Sequence, residues 1–374
     1  MRLFHCDQCG HLVFFESVHC VNCGAALAYL PDCDDVGAMA ASDADSPVAA
    51  PGPLWQRITT KASPSGQRYR MCGNRDQYQA CNFAIPADAP YTLCSSCRQT
   101  LVLPDLSVTG NTLRWQKLES AKRRLYYTLA RLGLHPDLPD WTPHYQFLAD
   151  VPDQPVMTGH ANGLITINIA EADDDERVRR RVALHEPYRT LLGHLRHESG
   201  HFFWDKLVRD GGELDSFRQL FGDERESYPQ ALQNYYANPP GYMEWSAQHV
   251  SAYASAHPWE DWAESWAHYL HMVDVLETAA SYQTGLSMGE GSPAVTMADP
   301  FIQPAPSFED MVAQWVPVTL LLNSLNRSLG QQDAYPFALS AGALQKLRYV
   351  HDIVRRPHPV DSPATNVLTQ PSAA

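Results

Sequence analysis

The sequence predicts an α+β protein, with a mainly helical domain behind small cysteine-stapled modules at its N-terminus. Three observations carry that expectation. Eight of the nine cysteines fall in two groups of four within the first 97 residues. Beyond about residue 111 the apolar residues recur at helical spacing, interrupted by one β-branched run, "GLITINI". A chain of 374 residues is also long enough to bury one large core beside smaller ones.

"CDQCG" at 6–10 and "CVNCG" at 20–24 are matching turns. Tetrahedral zinc takes four thiolates, and two Cys-x-x-Cys turns supply them in pairs. Gly10 and Gly24 follow the second cysteine of each pair, where glycine meets a positive φ easily. Cys6, Cys9, Cys20 and Cys23 are therefore expected to hold one structural zinc in a ribbon over 1–30. Cys72, Cys81, Cys94 and Cys97 are expected to hold a second, in a module over 57–105. Its first half is stretched by the eight-residue insert "GNRDQYQA". Cys33 is left as a spare thiol. The intervening stretch "DDVGAMAASDADSPVAAPGP" is small, acidic and proline-bearing, so 31–56 reads as a flexible linker. Four-thiolate sites leave no open coordination position and fold only with their metal. Such modules suit docking or substrate guidance, and a domain cut near Pro104 is expected to keep its own metal.

Helical periodicity opens in "LRWQKLESAKRRLYYTLARLGL" and defines a domain over 106–355. "NGLITINIAEAD" reads as a strand opened by Asn-Gly. The next helix is expected over 187–209, with Pro187 at its first position. Another runs from Pro258 to about Ala280. Ser307 with Asp310 opens the helix "MVAQWVPVTLLLNSL", which Pro317 should kink or interrupt. "SAGALQKLRYVHDIVRR" is the last helix, and the tail over 356–374 reads as disordered.

The segment "GHLRHESGHFFWD" sets two histidines four apart, one turn along the same helical face. His197 and His201 can share one zinc, with Glu198 beside them to act on its water. Leu191, Leu192, Leu195, Phe202, Leu207 and Val208 make this a core helix, where unpaired histidines are costly. Gly200 permits a close neighbour, and Asp205 could orient a ligand histidine. A metzincin would need glycine and histidine where Trp204 and Leu207 stand, so that subclass is excluded. Zinc hydrolases keep three protein ligands and an open fourth place, so a third ligand must come from elsewhere. "SAYASAHPWEDWAESWAHYLH" offers Glu260, Asp261, Glu264, His268 and His271.

Charge and composition limit the alternatives. The formal charge of −14 excludes a general nucleic-acid binder, which needs a basic footprint. One basic stretch, from Arg57 to Arg75, reads as a solvated face. No run approaches the roughly 18 apolar residues that span a bilayer. The N-terminus has cysteines where a signal peptide needs an apolar stretch. A cytoplasmic location is expected, where clustered cysteines mean metal rather than disulfides.

The histidine helix followed by Glu-x-x-x-Glu resembles the gluzincin metallopeptidases, and the motif resembles the catalytic site of anthrax lethal factor. From Cys6 to about Arg355 the chain also resembles the bacterial zinc-binding metallopeptidases that carry an N-terminal zinc ribbon. The likeness runs through "YRMCGNR", "EPYRTLLGHLRHESGHFFWDKLV", "FGDER" and "HPWEDWAESWAHYLH". It implies a zincin-like fold with Glu260 as the third ligand, Glu264 supporting a histidine ligand, and Tyr253 steadying the transition state. "GLITINI" resembles the edge strand that holds an extended peptide in such folds, with His160 structural just before it.

The expected function is hydrolysis of peptide bonds with one catalytic and two structural zinc ions. The substrate would be a peptide or protein, with a protein partner possible through the ribbons, and no nucleic acid or membrane is expected. The alternative is an inactive zincin-fold protein that recruits partners through its ribbons.

Overall fold

The structure is a computed structural model that describes residues 1–42, 53–58, 67–134, 138–151, 154–183, 189–289, 291 and 293–356. At the N-terminus a short hairpin pairs Phe4–His5 with Leu12–Val13. An antiparallel five-stranded sheet follows, with neighbours in chain order: β1 (Ala26–Leu30), β2 (Asp35–Ala41), β3 (Trp55–Arg57), β4 (Arg68–Met71) and β5 (Ala84–Pro86).

The linker expected over 31–56 is therefore corrected: β2 and β3 lie inside it, and Val36 to Met39 are buried. The small residues serve close packing rather than flexibility. A Cβ on Gly37 would come within 3.0 Å of Leu30 Cδ1 and 3.1 Å of the Arg57 side chain. The acidic residues nearby are spent on Arg57, whose Nε donates to Asp7 Oδ2 at 2.9 Å and whose Nη2 donates to Asp35 Oδ2 at 2.5 Å. Residues 43–52 of the expected linker lie outside the described residues. The two cysteine quartets also share one core. Phe4, Val13, Phe15, Leu27, Tyr29 and Phe83 pack in a single cluster with cysteines of both groups.

The second body is built on a mixed sheet of order β8-β9-β7-β6. Its strands are β6 (Thr100–Val102), β7 (His144–Leu148), β8 (Gly159–Ala161) and β9 (Leu164–Asn168). The strand read as the edge, β9, is interior. It pairs parallel with β7 on one side and antiparallel with β8 on the other, so β8 rather than β9 is the edge on that side. Asn162 and Gly163 both take positive φ, 51° and 81°, which closes a two-residue hairpin and folds β8 back along β9.

The helices of this body include α1 (Asn111–Arg131), α2 (Leu191–Trp204), α3 (Tyr228–Ala237), α4 (Pro258–Ser281), α5 (Phe308–Ser328) and α6 (Ala341–Val354), beside shorter or peripheral ones over Asp174–Ala183 and Leu214–Phe221. The histidine helix starts at Leu191 rather than 187, because Thr190 Oγ1 caps it by accepting from Gly193 N at 2.9 Å. Pro187 lies outside the described residues, as does the tail from 357 on. Beyond Trp204 the chain winds as a π-turn over Asp205–Arg209. Of the two expected effects of Pro317, a kink or an interruption, interruption does not occur: helix α5 runs through it. Proline frees the carbonyl four residues earlier, on Ala313, and that residue faces solvent.

The centre of the molecule is the contact of α2 with α4. A Cβ on Gly200 would fall 3.0 Å from Ala263 Cα and 3.1 Å from Trp266 Cδ1, so any side chain here would push the helices apart by a few tenths of an ångström. Trp262 Nε1 donates to Gly200 O at 2.8 Å, and Trp266 Nε1 to Ser199 Oγ at 3.0 Å. These bonds set the register between the two helices and hence between their polar side chains.

Candidate metal centre

One turn beyond the N-cap of α4, Glu260 projects at the histidines of α2. The nitrogens of His197 and His201 and a carboxylate oxygen of Glu260 all lie within 4.8 Å of one another. His197 Nε2 stands 2.9 Å from Glu260 Oε2, and His201 Nε2 stands 3.6 Å from it. A tetrahedral zinc with ligand bonds of about 2.0–2.1 Å needs donors about 3.3 Å apart, and these distances bracket that value. Glu198 Oε2 is buried without a hydrogen-bond partner among the described residues, and Glu260 Oε2 has only the two histidine nitrogens beside it. Buried oxygens so placed fit a cation and a water that the protein is built to hold.

The neighbours tune these groups. Glu264 Oε1 sits 2.8 Å from His197 Nδ1, and Ser251 Oγ donates to Glu264 Oε2 at 2.6 Å. With Nδ1–H given to Glu264, His197 would present Nε2 to a metal. Burial opposes a positive charge on His197, yet Glu260 and Glu264 together hold its pKa well above the ordinary value. For Glu260 burial is again opposed, and the two histidines hold its carboxyl well below the usual range. Glu198 goes the other way: burial raises its pKa, and the nearby histidines only partly offset this.

Tyr253 lies in a 3₁₀ turn over Tyr253–Ala256, its ring 5.9 Å from that of His197. With His197, Glu198 and Glu264 it lines a cavity of about 590 Å³ that extends to Met157, Arg189 and Phe337. His268 and His271 stand in the wall of that cavity but not in the three-residue donor group. His268 Nδ1 lies 2.6 Å from Tyr335 Oη, and burial pushes its pKa down to about 4. His160, on β8, accepts from Gly163 N through Nε2 at 3.1 Å, and its ring stacks 6.3 Å from His201.

Asp205 was expected to orient a ligand histidine, and this is corrected. It accepts from Arg209 Nη1 at 2.7 Å instead, while His201 Nδ1 is buried without a partner among the described residues. Sequence reasoning also missed two groups around Glu260. Tyr228 Oη donates to Glu260 Oε1 at 2.5 Å, and the Trp259 ring packs 4.0 Å from that of His201. Tyr228 lies 32 residues before its partner on a separate helix, so no local motif could have shown it.

The cysteine groups have the geometry of two further metal sites. Cys6 and Cys23 Sγ are 3.7 Å apart, Cys9 and Cys20 are 3.6 Å, and Cys81 and Cys94 are 3.7 Å. Disulfide sulfurs would be about 2.05 Å apart, whereas four thiolates at about 2.3 Å from one zinc stand about 3.8 Å apart. Arg123, buried on α1, donates to Ala80 O and sets its positive charge beside Cys81, Cys94 and Cys97. Cys33 stays apart, its Sγ 3.8 Å from Tyr69 Oη.

Two histidines and a glutamate thus converge between packed helices of a mixed α+β body, behind two four-cysteine groups, and each of the three groups could hold a metal ion. Residues 111–353 match the family described as "putative zinc-binding metallo-peptidase", and the chain belongs to that family. Residues 3–108 match a zinc-ribbon domain. Relatives from Mycobacterium bovis and from two strains of Mycobacterium tuberculosis are each 37% identical over 373 residues. The alignments cover 97% of this chain and 98% of each relative, and all three carry the name uncharacterized protein. No solved structure matches, and the expected resemblance to the anthrax lethal factor site is not shown. No described helix is long and apolar enough to cross a membrane.

Proposed function

We propose that the protein is a gluzincin-like zinc peptidase, with His197, His201 and Glu260 as metal ligands and Glu198 as general base. The observation that carries this reading is the convergence of the three donor groups within 4.8 Å of one another, with one of them, His197, lining a cavity together with Glu198 and Tyr253. When bound, zinc supplies Lewis acidity, lowering the pKa of water toward about 7 and polarising the substrate carbonyl. Glu198, raised by burial, takes the proton of the attacking water and returns it to the departing amine. The Tyr253 hydroxyl donates to the oxygen on which charge develops. An extended peptide can pair with the outer edge of β8, which lies against α2.

Two structural zincs on the cysteine quartets complete the set, and the N-terminal body is proposed to guide substrates or dock a protein partner. The test is Glu198→Gln, which keeps shape and hydrogen bonding but removes the proton acceptor. Metal content should stay at about three per chain while peptide hydrolysis falls roughly 10²–10⁴-fold. Undiminished hydrolysis by this variant would reject the assignment of the base.

A further inference from the structure

Helix α3 poses a problem of its own. None of its residues is buried, so no apolar core holds it in place. It nonetheless sends two tyrosines toward the metal centre from positions seven apart, two turns along the same face. Tyr228 donates to Glu260 Oε1 at 2.5 Å, and the Tyr235 ring lies 5.6 Å from that of Tyr253.

The chain that leads into α3 is pinned to the start of α4. His257 caps α4 by accepting from Trp259 N through Nδ1 at 3.1 Å. An accepting Nδ1 leaves the proton on Nε2, which lies 3.2 Å from Glu226 O and donates to it. His257 is 4% exposed, so this clamp is shielded from water. Gly222, at φ 105°, brings the same segment so close to Pro258 that a Cβ would stand 3.1 Å from the proline Cγ. The Tyr228 ring then packs edge-on against His257 at 5.2 Å and Trp259 at 5.7 Å. Glu260 is one residue further along. The segment before α3 and the first turn of α4 therefore act as one unit, and the Tyr228 hydroxyl is fixed relative to the carboxylate it meets.

The two oxygens of Glu260 are thereby divided. Oε2 faces both histidines, while Oε1 is held by Tyr228. A carboxylate free to turn could give both oxygens to the metal and occupy the position that a hydrolytic zinc must leave open. We propose that Tyr228 is a positioning residue that holds Glu260 to ligation through Oε2 alone. This rests on the metal-centre assignment above and adds a residue that touches neither metal nor substrate.

The experiment uses the full chain with zinc on its cysteines and measures the third metal by chelator competition. Tyr228→Phe keeps the ring and removes the hydroxyl. Affinity for the third zinc should fall about 10–100-fold, as when other outer partners of metal ligands are lost. With cobalt in the third site only, the visible bands of a four-coordinate ion should weaken as Glu260 turns to offer both oxygens. Tyr235→Phe, on the same helix face, should leave affinity and spectrum unchanged. On a Glu260→Gln background, adding Tyr228→Phe should cost no more than about twofold, because the hydroxyl acts through that carboxylate.

The proposal is overturned if Tyr228→Phe binds the third metal within twofold of the native chain with an unchanged cobalt spectrum. It is also overturned if the full loss persists without the Glu260 carboxylate. A native chain that binds only two metals would instead remove the metal-centre assignment itself, an outcome distinct from both.

Discussion

His197 shows at the scale of one residue how the site is made. Burial alone would keep it neutral, and two carboxylates on the facing helix reverse this. Their roles separate by which nitrogen they face, Glu260 at Nε2 and Glu264 at Nδ1. Glu260→Gln should therefore lose the third zinc by more than about 100-fold, because a neutral amide is a poor ligand. Glu264→Gln can still accept from His197 and should lose about 10–100-fold. The reverse order in a zinc titration would move the ligand one turn along α4. A histidine away from the site is one of several whose burial adds to acid sensitivity. His351, buried on α6 beside Tyr269 and Phe308, has its pKa pushed down to about 4 by burial. The unfolded chain binds that proton near pH 6.5, so the stabilising contribution is full above that pH and is lost as pH falls toward 4. Thermal melts of His351→Gln should accordingly show a shallower decline over this window than the native protein.

The residues legible in the sequence were those whose relation is local. His197, Glu198 and His201 share one helix, and a spacing of four fixes their common face. Asp205 was misread for a local reason too. Asp205 does stand one α-turn after His201, its N–H donating to His201 O, yet its carboxylate accepts from Arg209 one turn further on. Tyr228 and Ser251 reach the site only through the packing of other elements, which no spacing rule encodes.

At the scale of elements, α2 and α4 are held by a backbone approach that depends on Gly200. Gly200→Ala should destabilise the fold by about 1–3 kcal/mol, the usual cost of overpacking a core. The added methyl has Ala263 Cα, a backbone atom, on one side, so it cannot be absorbed by a side-chain rotation. Denaturant unfolding would measure this, and a midpoint equal to the native one would show that the helices can part without cost. The existence of most long helices was readable from periodicity, but pairing was not. A β-branched run looks alike as an edge or interior strand, and "GLITINI" is interior because Asn162-Gly163 turns β8 onto it. The run of small residues over 36–41 looked like a linker because nothing local shows that Leu30 and Arg57 lie against Gly37.

For the molecule as a whole, α1 is the wedge that joins the cysteine-bearing body to the metal centre. Tyr126 Oη accepts from Ser95 Oγ at 2.7 Å beside the second quartet. Tyr127 Oη donates to Glu277 Oε1 at 2.5 Å, and Thr128 Oγ1 to Asp274 Oδ1 at 2.6 Å, both on α4. The modular picture from sequence, in which a fragment from about Pro104 keeps its metal, meets an interface that leaves no clean cut. Such a fragment would expose Tyr126 and Tyr127 and lose β6 from its sheet. It should aggregate or fail to hold the third zinc, as circular dichroism and elemental analysis would show. A folded fragment with one zinc would restore the modular view.

The passage from Cys97 into β6 sets an order of events. Cys94 caps a single helical turn, Ser95–Arg98, that contains Cys97, and the chain then enters β6 directly, with Gln99 O accepting from Tyr145 N at 2.8 Å. During synthesis the cysteines emerge well before His197, so their ion can organise the first strand of the later sheet while the histidine helix is still being made. A nascent chain that meets too little zinc would lack that template. Scarcity of the metal would then reduce how many molecules mature, rather than how fast each mature molecule works.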